Sequence, residues 1–228
     1  MISVRSLAIS IFWGVLSASL IHAQDLSSYR DFQFGTNLIA VAKQAGMNPS
    51  EAKTLHQRPA MIQELWWQRS LSGSSPQTDP VRDVVFCFYN GELSRMVVNY
   101  DRYRTEGLTN EDMIDAISAK YGVAARPFAV IILFSSSQVY NDSEKVIARW
   151  EDSQYSFNLF RSSYQPTLGM VVFSKRLDAL AQAAIVRAIR LDEQEAPQRE
   201  MERQKKEDAE NRAAQERARP LNKANFRP

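Results

Sequence analysis

The dipeptide Asn90-Gly91 constrains the fold more than any other feature of this 228-residue chain. It separates two runs rich in aliphatic and aromatic side chains, Asp83–Tyr89 and Glu92–Tyr100. A two-residue connection between antiparallel strands favours a turn whose central residues both take positive φ, and asparagine followed by glycine adopts it at least cost. The segment therefore reads as a β-hairpin. The tight turn sets a register with Phe88 opposite Leu93, Phe86 opposite Arg95 and Val84 opposite Val97. That face is apolar enough to be core, so Arg95 on it needs a partner or an exit at the sheet edge.

Helices flank the hairpin on both sides. Thr36 is placed to cap a helix whose buried face holds Leu38, Val41, Ala42 and Ala45, and Gly46 offers the left-handed stop. Asn48-Pro49-Ser50-Glu51 carries a cap, a first-turn proline and a glutamate three residues after the cap, which predicts a second short helix ending at Pro59. A strand follows over Met61–Gln68, and then a Ser/Gly/Pro-rich loop over Leu71–Pro80. After the hairpin the order repeats. Thr109 precedes first-turn acids, Met113, Ile114, Ile117 and Tyr121 form one stripe, and Gly122 closes the helix. Phe128–Phe134 reads as a strand and Ser135–Asp142 as a loop. Two half-buried strands turn at Asp152-Ser153, and Thr167–Ser174 adds another after a turn at Gln165-Pro166.

This order implies an α+β fold. It consists of tandem helix-plus-antiparallel-strand units, with helices on one face of a meander sheet, then a long C-terminal helix and a charged tail. The units cover about residues 29–100 and 101–197 of a globular body at 24–197. Leu177, Leu180, Ala181, Ala184, Ile185 and Ala188 keep helical spacing, so this helix should dock on the body until Pro197 interrupts it. Residues 198–228 form the tail. Its i,i+4 pairs, Glu202 with Lys206 and Asp208 with Arg212, contribute about 0.3 kcal/mol each. Met201 is the only large apolar side chain in 198–219, so no coiled-coil seam exists and a solvated, partly helical tail is expected. Leu221–Pro228 is expected to be disordered.

The N-terminus reads as a secretory signal peptide over residues 1–23. Arg5 is the only charge before position 25, an apolar run covers Leu7–Ile21, and Ala23 supplies a small residue ahead of Gln24. The run is shorter than the roughly 20 residues that span a bilayer, which disfavours an uncleaved anchor, the alternative reading. The expected location is thus exported, periplasmic or secreted, with no stable transmembrane helix after cleavage. Removing the signal takes the net charge from +2 to +1, which offers nucleic acid no basic face. A single cysteine, Cys87, excludes an internal disulfide, and its apolar neighbours favour an inert buried thiol.

The residues for catalysis are sparse. His56 is the one histidine after the signal, so zinc is not expected, nor is any other metal or cofactor. No phosphate-binding glycine loop or Gly-x-Ser-x-Gly elbow is present. Carboxylates near Asp101 and Glu106, among Arg102, Tyr103 and Arg104, are the one route to a hydrolase. Asn141-Asp142-Ser143 matches a glycosylation sequon. Aromatic residues offer a better lead. Trp66 and Trp67, adjacent on one strand, must point to opposite faces; one enters the core, and the other lies open for binding or under a second layer such as the 177–189 helix. The candidate binding set is Trp66, Trp67, Tyr100, Asp101 and Tyr103.

Several short motifs carry a family resemblance. Phe34-Gly35-Thr36 opens a helix after the signal, Gly46-Met47-Asn48-Pro49-Ser50-Glu51 and Pro59 follow, and a strand meander comes next. Over residues 29–175 this resembles the SmpA/OmlA and β-lactamase-inhibitor-protein-like exported modules. The whole chain is also similar to exported bacterial proteins ending in a comparable charged tail. The resemblance implies short helices on an antiparallel sheet, sometimes in tandem, and a non-catalytic role in binding or scaffolding envelope proteins. The lipobox cysteine and the disulfide pair of those families are absent here.

Overall fold

The computed structural model describes residues 25–69, 79–133, 142–162, 167–225 and 227. The expected signal sequence, most of the expected Ser/Gly/Pro-rich loop, residues 135–141 of the next expected loop with Asn141 of the sequon, and the expected turn at Gln165-Pro166 lie outside them.

The chain enters through a two-strand ribbon, β1 (Ser28–Tyr29) and β2 (Phe32–Gln33), followed by α1 (Leu38–Gln44). Asn37, not Thr36, caps α1: its Oδ1 accepts from the Ala40 N–H at 2.9 Å, while the Thr36 carbonyl accepts from Leu93 N. The Asn48 capping box is formed, but the expected helix is a single 3-10 turn at Pro49–Glu51. It gives way to β3 (Lys53–His56) well before Pro59, because Lys53 and Thr54 already pair with Glu64 and Gln63. β4 (Ile62–Gln68), β5 (Val81–Tyr89) and β6 (Glu92–Tyr100) complete a meander. Next come α2 (Asn110–Tyr121), capped reciprocally by Thr109 and Asp112, and a second meander: β7 (Val130–Leu133), β8 (Asp142–Glu151), β9 (Tyr155–Arg161) and β10 (Leu168–Ser174). α3 (Lys175–Asn225) ends the chain.

The two meanders make one eight-stranded antiparallel sheet in the order β3-β4-β5-β6-β10-β9-β8-β7. The last strand of each meander lies at the centre. The seam is tight, because a Cβ on Gly169 of β10 would overlap the Phe160 ring and stand 2.9 Å from the Val98 carbonyl oxygen. The protein is α+β, as the pattern of elements implied.

The main core lies on one sheet face. Phe86, Phe88, Leu93, Met96 and Val98 from the first meander meet Trp150, Phe157, Leu159, Met170 and Val172 from the second. Val41 and Ala42 of α1 and Met113, Ile114 and Tyr121 of α2 cover them, with Leu26, Tyr29 and Phe34 from the N-terminal ribbon. Trp150 is fully buried, and its indole N–H donates to the Gly122 carbonyl at 2.9 Å. α1 and α2 thus share a face as expected. α3 takes the other, where Ala181 and Ala184 pack with Ala60 and Ile62.

The hairpin holds its turn and shifts its register. Asn90 and Gly91 have φ of 49° and 82°, as a type I′ turn requires. Phe88 faces Leu93, but a bulge then moves the ladder by one residue, so Phe86 faces Met96, Val84 faces Val98 and Arg95 faces Cys87. Ser94 is the extra residue, and its hydroxyl donates to the Cys87 carbonyl at 2.9 Å. Arg95 therefore leaves the main core face.

α3 also departs from expectation. Pro197 and Pro220 both lie inside it, and the helix continues through Asn225. A proline removes one hydrogen bond and crowds the carbonyl four residues back, here Glu193. That turn is solvent-exposed, so water can satisfy the freed carbonyl. Arg199 Nη2 also reaches back to the Asp192 carbonyl at 3.1 Å and carboxylate at 3.0 Å. Among the described residues no helix is long and apolar enough to cross a membrane.

Candidate functional site

The bulge at Ser94 builds a site that the sequence pattern did not reveal. It turns Arg95 onto the second sheet face, in a row running Glu64, Cys87, Arg95 and Phe173 across β4, β5, β6 and β10. α3 starts directly after β10, so its first turn brings Asp178 over this row. Arg95 donates to both carboxylate oxygens, Nε to Oδ1 at 2.7 Å and Nη2 to Oδ2 at 2.8 Å, and its guanidinium lies 5.3 Å from the Phe173 ring centroid. Both partners are buried, so the geometry has to offset a large desolvation cost.

Between this row and α3 opens a cleft of about 450 Å³. Glu64, Cys87, Arg95 and Asp178 line its polar part, Ile62 and Ile185 its apolar part, and His56 on β3 also lines it. Burial pushes the Cys87 thiol well above its ordinary range, and the negative charge of Glu64 adds to the effect. Among the described residues no hydrogen bond joins the Cys87 thiol to His56, so the two share the cleft without forming a cysteine–histidine pair. No group of three or more His, Cys, Asp or Glu side chains among the described residues is placed to hold a metal ion. The Arg95–Asp178 fork fastens α3 to the sheet. The room beside it suits a small amphipathic molecule or an inserted side chain. Arg95 stood out in the sequence as a charge needing a partner; Glu64 and Asp178 gave no comparable signal.

The sequence-predicted site residues do not converge. Trp66 lies on the second face at 57% exposure, cross-strand from Val85. Trp67 points the other way, half-buried against the main core. It lines a separate cleft of about 220 Å³ with Arg30, Asp79 and Met96. There the Arg30 guanidinium forks onto Asp79 at 2.7 and 2.8 Å and holds that carboxyl below its usual range. Tyr100 does not belong to a surface site: it is buried, with its hydroxyl 3.1 Å from that of Tyr29, and desolvation raises both phenols.

Asp101 is committed to structure. Its Oδ1 accepts from the backbone N–H of Tyr103 at 2.9 Å and of Arg104 at 3.3 Å, and its Oδ2 pairs with Arg69 at 2.5 Å. Tyr103 is 81% exposed and Glu106 is exposed. The tyrosine–aspartate segment is a well-capped turn from which one phenol projects.

Compared with family models, with curated proteins and with solved structures, the chain matches none.

Proposed function

We propose that this chain is an exported, periplasmic protein-binding or scaffolding module that acts without catalysis on envelope proteins. Export rests on the signal pattern of residues 1–23. Binding rests on one observation above the others: the large indole of Trp66 stands 57% exposed on a packed strand. An exposed tryptophan held by a rigid sheet loses little entropy on contact and is the side-chain type most enriched where binding energy concentrates. The family resemblance, read as a proposal, points to the same role. The Asp101 carboxylate, held by Arg69 and by two backbone N–H groups of its own turn, has a structural role that supports this reading over the hydrolase one.

The experiment is an affinity pull-down from envelope extract, with the processed chain as bait beside its Trp66→Ala variant. Partners recovered by the parent and reduced several-fold by Trp66→Ala at unchanged melting temperature are the expected result, since removing a central aromatic anchor costs about 2 kcal/mol or more of binding. Equal recovery by parent and variant would remove Trp66 from the binding surface. No specific recovery by either would overturn the reading.

A further inference from the structure

The two edges of the eight-stranded sheet are built differently. β3 has the features of a guarded edge: it is four residues long, Lys53 is exposed on it, and its ladder is broken between Thr54 and His56. β7 is just as short but has neither a charged residue nor a broken ladder. Its sequence is Val130-Ile131-Ile132-Leu133, and its pairing with β8 is regular throughout.

The outward-facing backbone groups of β7 follow from its pairing. The Val146 N–H donates to the Ala129 carbonyl at 3.0 Å, which makes Ala129 and Val146 a hydrogen-bonded pair. Such pairs alternate along an antiparallel ladder. Val130 and Ile132 are then the residues whose N–H and C=O groups point away from β8. No strand among the described residues pairs with that side.

The surroundings of this edge are apolar and cationic. Phe128 is fully exposed and Val130 63%. Next to them lies a cleft of about 350 Å³ whose lining includes Phe128, Ile147, Arg126, Lys145 and Arg161. Arg126 is neutralised by a two-pronged pairing with Glu111. Arg161 donates to the uncharged Asn110 at 2.8 Å. Lys145, cross-strand from Val130, is exposed and has no ion-pair partner among the described residues. Lys145 on β8 and Arg161 on β9 therefore place two positive charges, without an ion-pair partner among the described residues, one and two strands in from β7.

We propose that the β7 edge is a docking site for an extended, acid-flanked apolar segment of a partner protein, which adds to the sheet as a ninth strand. Main-chain hydrogen bonds to Val130 and Ile132 would hold the segment, and Lys145 and Arg161 would select its acidic flank. A second copy of this chain fits less well, because pairing β7 with β7 would bring like charges together. The proposal rests on the binding-module reading and specifies the form of the partner.

The test uses the full chain and two fluorescein-labelled ten-residue peptides followed by anisotropy. Each alternates valine and threonine; one has glutamate at both ends and the other lysine. The glutamate peptide should bind about tenfold tighter or more, and Lys145→Glu with Arg161→Glu should reverse the order. Val130→Pro removes an outward N–H at an edge position that tolerates proline, so it should abolish binding and leave the fold intact. If that variant does not fold, N-methylating alternate backbone nitrogens of the peptide tests the same bonds on the unaltered protein. Equal binding of the two peptides, no binding by either up to about 1 mM, or binding indifferent to both Val130→Pro and N-methylation would overturn the proposal. So would a concentration-dependent dimer in sedimentation that Val130→Pro abolishes, since it would assign the edge to a second copy. Partner capture from envelope extract that survives Val130→Pro would remove this inference and leave the binding-module reading standing.

Discussion

The two parts of α3, before and after about Leu191, are one continuous helix held together by different means. In the first part Leu177, Ala181, Ala184 and Ala188 are buried at spacings of four, three and four residues, with Asp178 buried beside the first. The small side chains let the helix lie close to the sheet, and the Arg95–Asp178 fork fastens it. Glu195, just past Leu191, makes one more contact with the body, an exposed one to Arg58 at 2.8 Å. In the second part nearly every residue is exposed. There the visible support is local, such as Glu200 with Arg203 at 2.8 Å. Such pairs stabilise a helix by only a few tenths of a kcal/mol, about 0.3 each. A helix of uniform geometry thus passes from tertiary to local support within a few turns, and a backbone trace would not show where.

Three sets of changes would break or sharpen this contrast. The largest effect should come from Asp178→Ala, which leaves Arg95 buried without the carboxylate it forks onto. Loss of one member of a buried pair costs about 3–5 kcal/mol, read as a lower urea midpoint. Arg95→Met with Asp178→Leu should recover much of it, and failure to do so would mean that the pair also sets the position of α3. Leu177→Ala should cost about 2–4 kcal/mol, whereas Met201→Ala in the second part should change stability by less than about 0.5 kcal/mol. Equal costs at the two positions would erase the distinction. Deleting residues 198–228 should have the smallest effect, leaving the melting temperature of the body nearly unchanged while helical circular dichroism falls. A large drop would mean that the charged segment packs on the body.

Much of the fold was legible because it rests on local chemistry. The Asn90-Gly91 turn, the Thr109 cap and the Gly122 stop each need only a few neighbouring residues, and all three formed. The hairpin register was misread for a reason visible afterwards. Leu93 and Met96 are both core residues yet stand three apart, so strict alternation must fail between them. Counting from Leu93 puts Arg95 on the core face, and counting back from Met96 puts it on the other. The 3-10 turn at Pro49–Glu51 stayed short because sheet pairing claimed Lys53, a tertiary preference that outweighs a good cap. Of the candidate site, the opposite faces of Trp66 and Trp67 and the need of Arg95 for a partner were legible, whereas which indole would stand exposed was not. Tyr100, a member of the candidate binding set, is buried, and a tyrosine at a strand end does not reveal that the Tyr29 hydroxyl will meet its own.

What the sequence determined alone was the alternation of helices and strands, the tight turn and its handedness, and the lack of an apolar stripe beyond residue 197. Each depends on φ preferences, caps or periodicity acting over a few residues. The tertiary structure alone decided that β6 and β10 would meet at the centre of one sheet and that the bulge at Ser94 would turn Arg95 to the second face. It also decided that Asp178, 83 residues away, would receive it, and that β7 would become an edge. Those outcomes depend on which distant surfaces bury each other best. Such pairings are set by the whole set of competing contacts, and no short window of residues contains them.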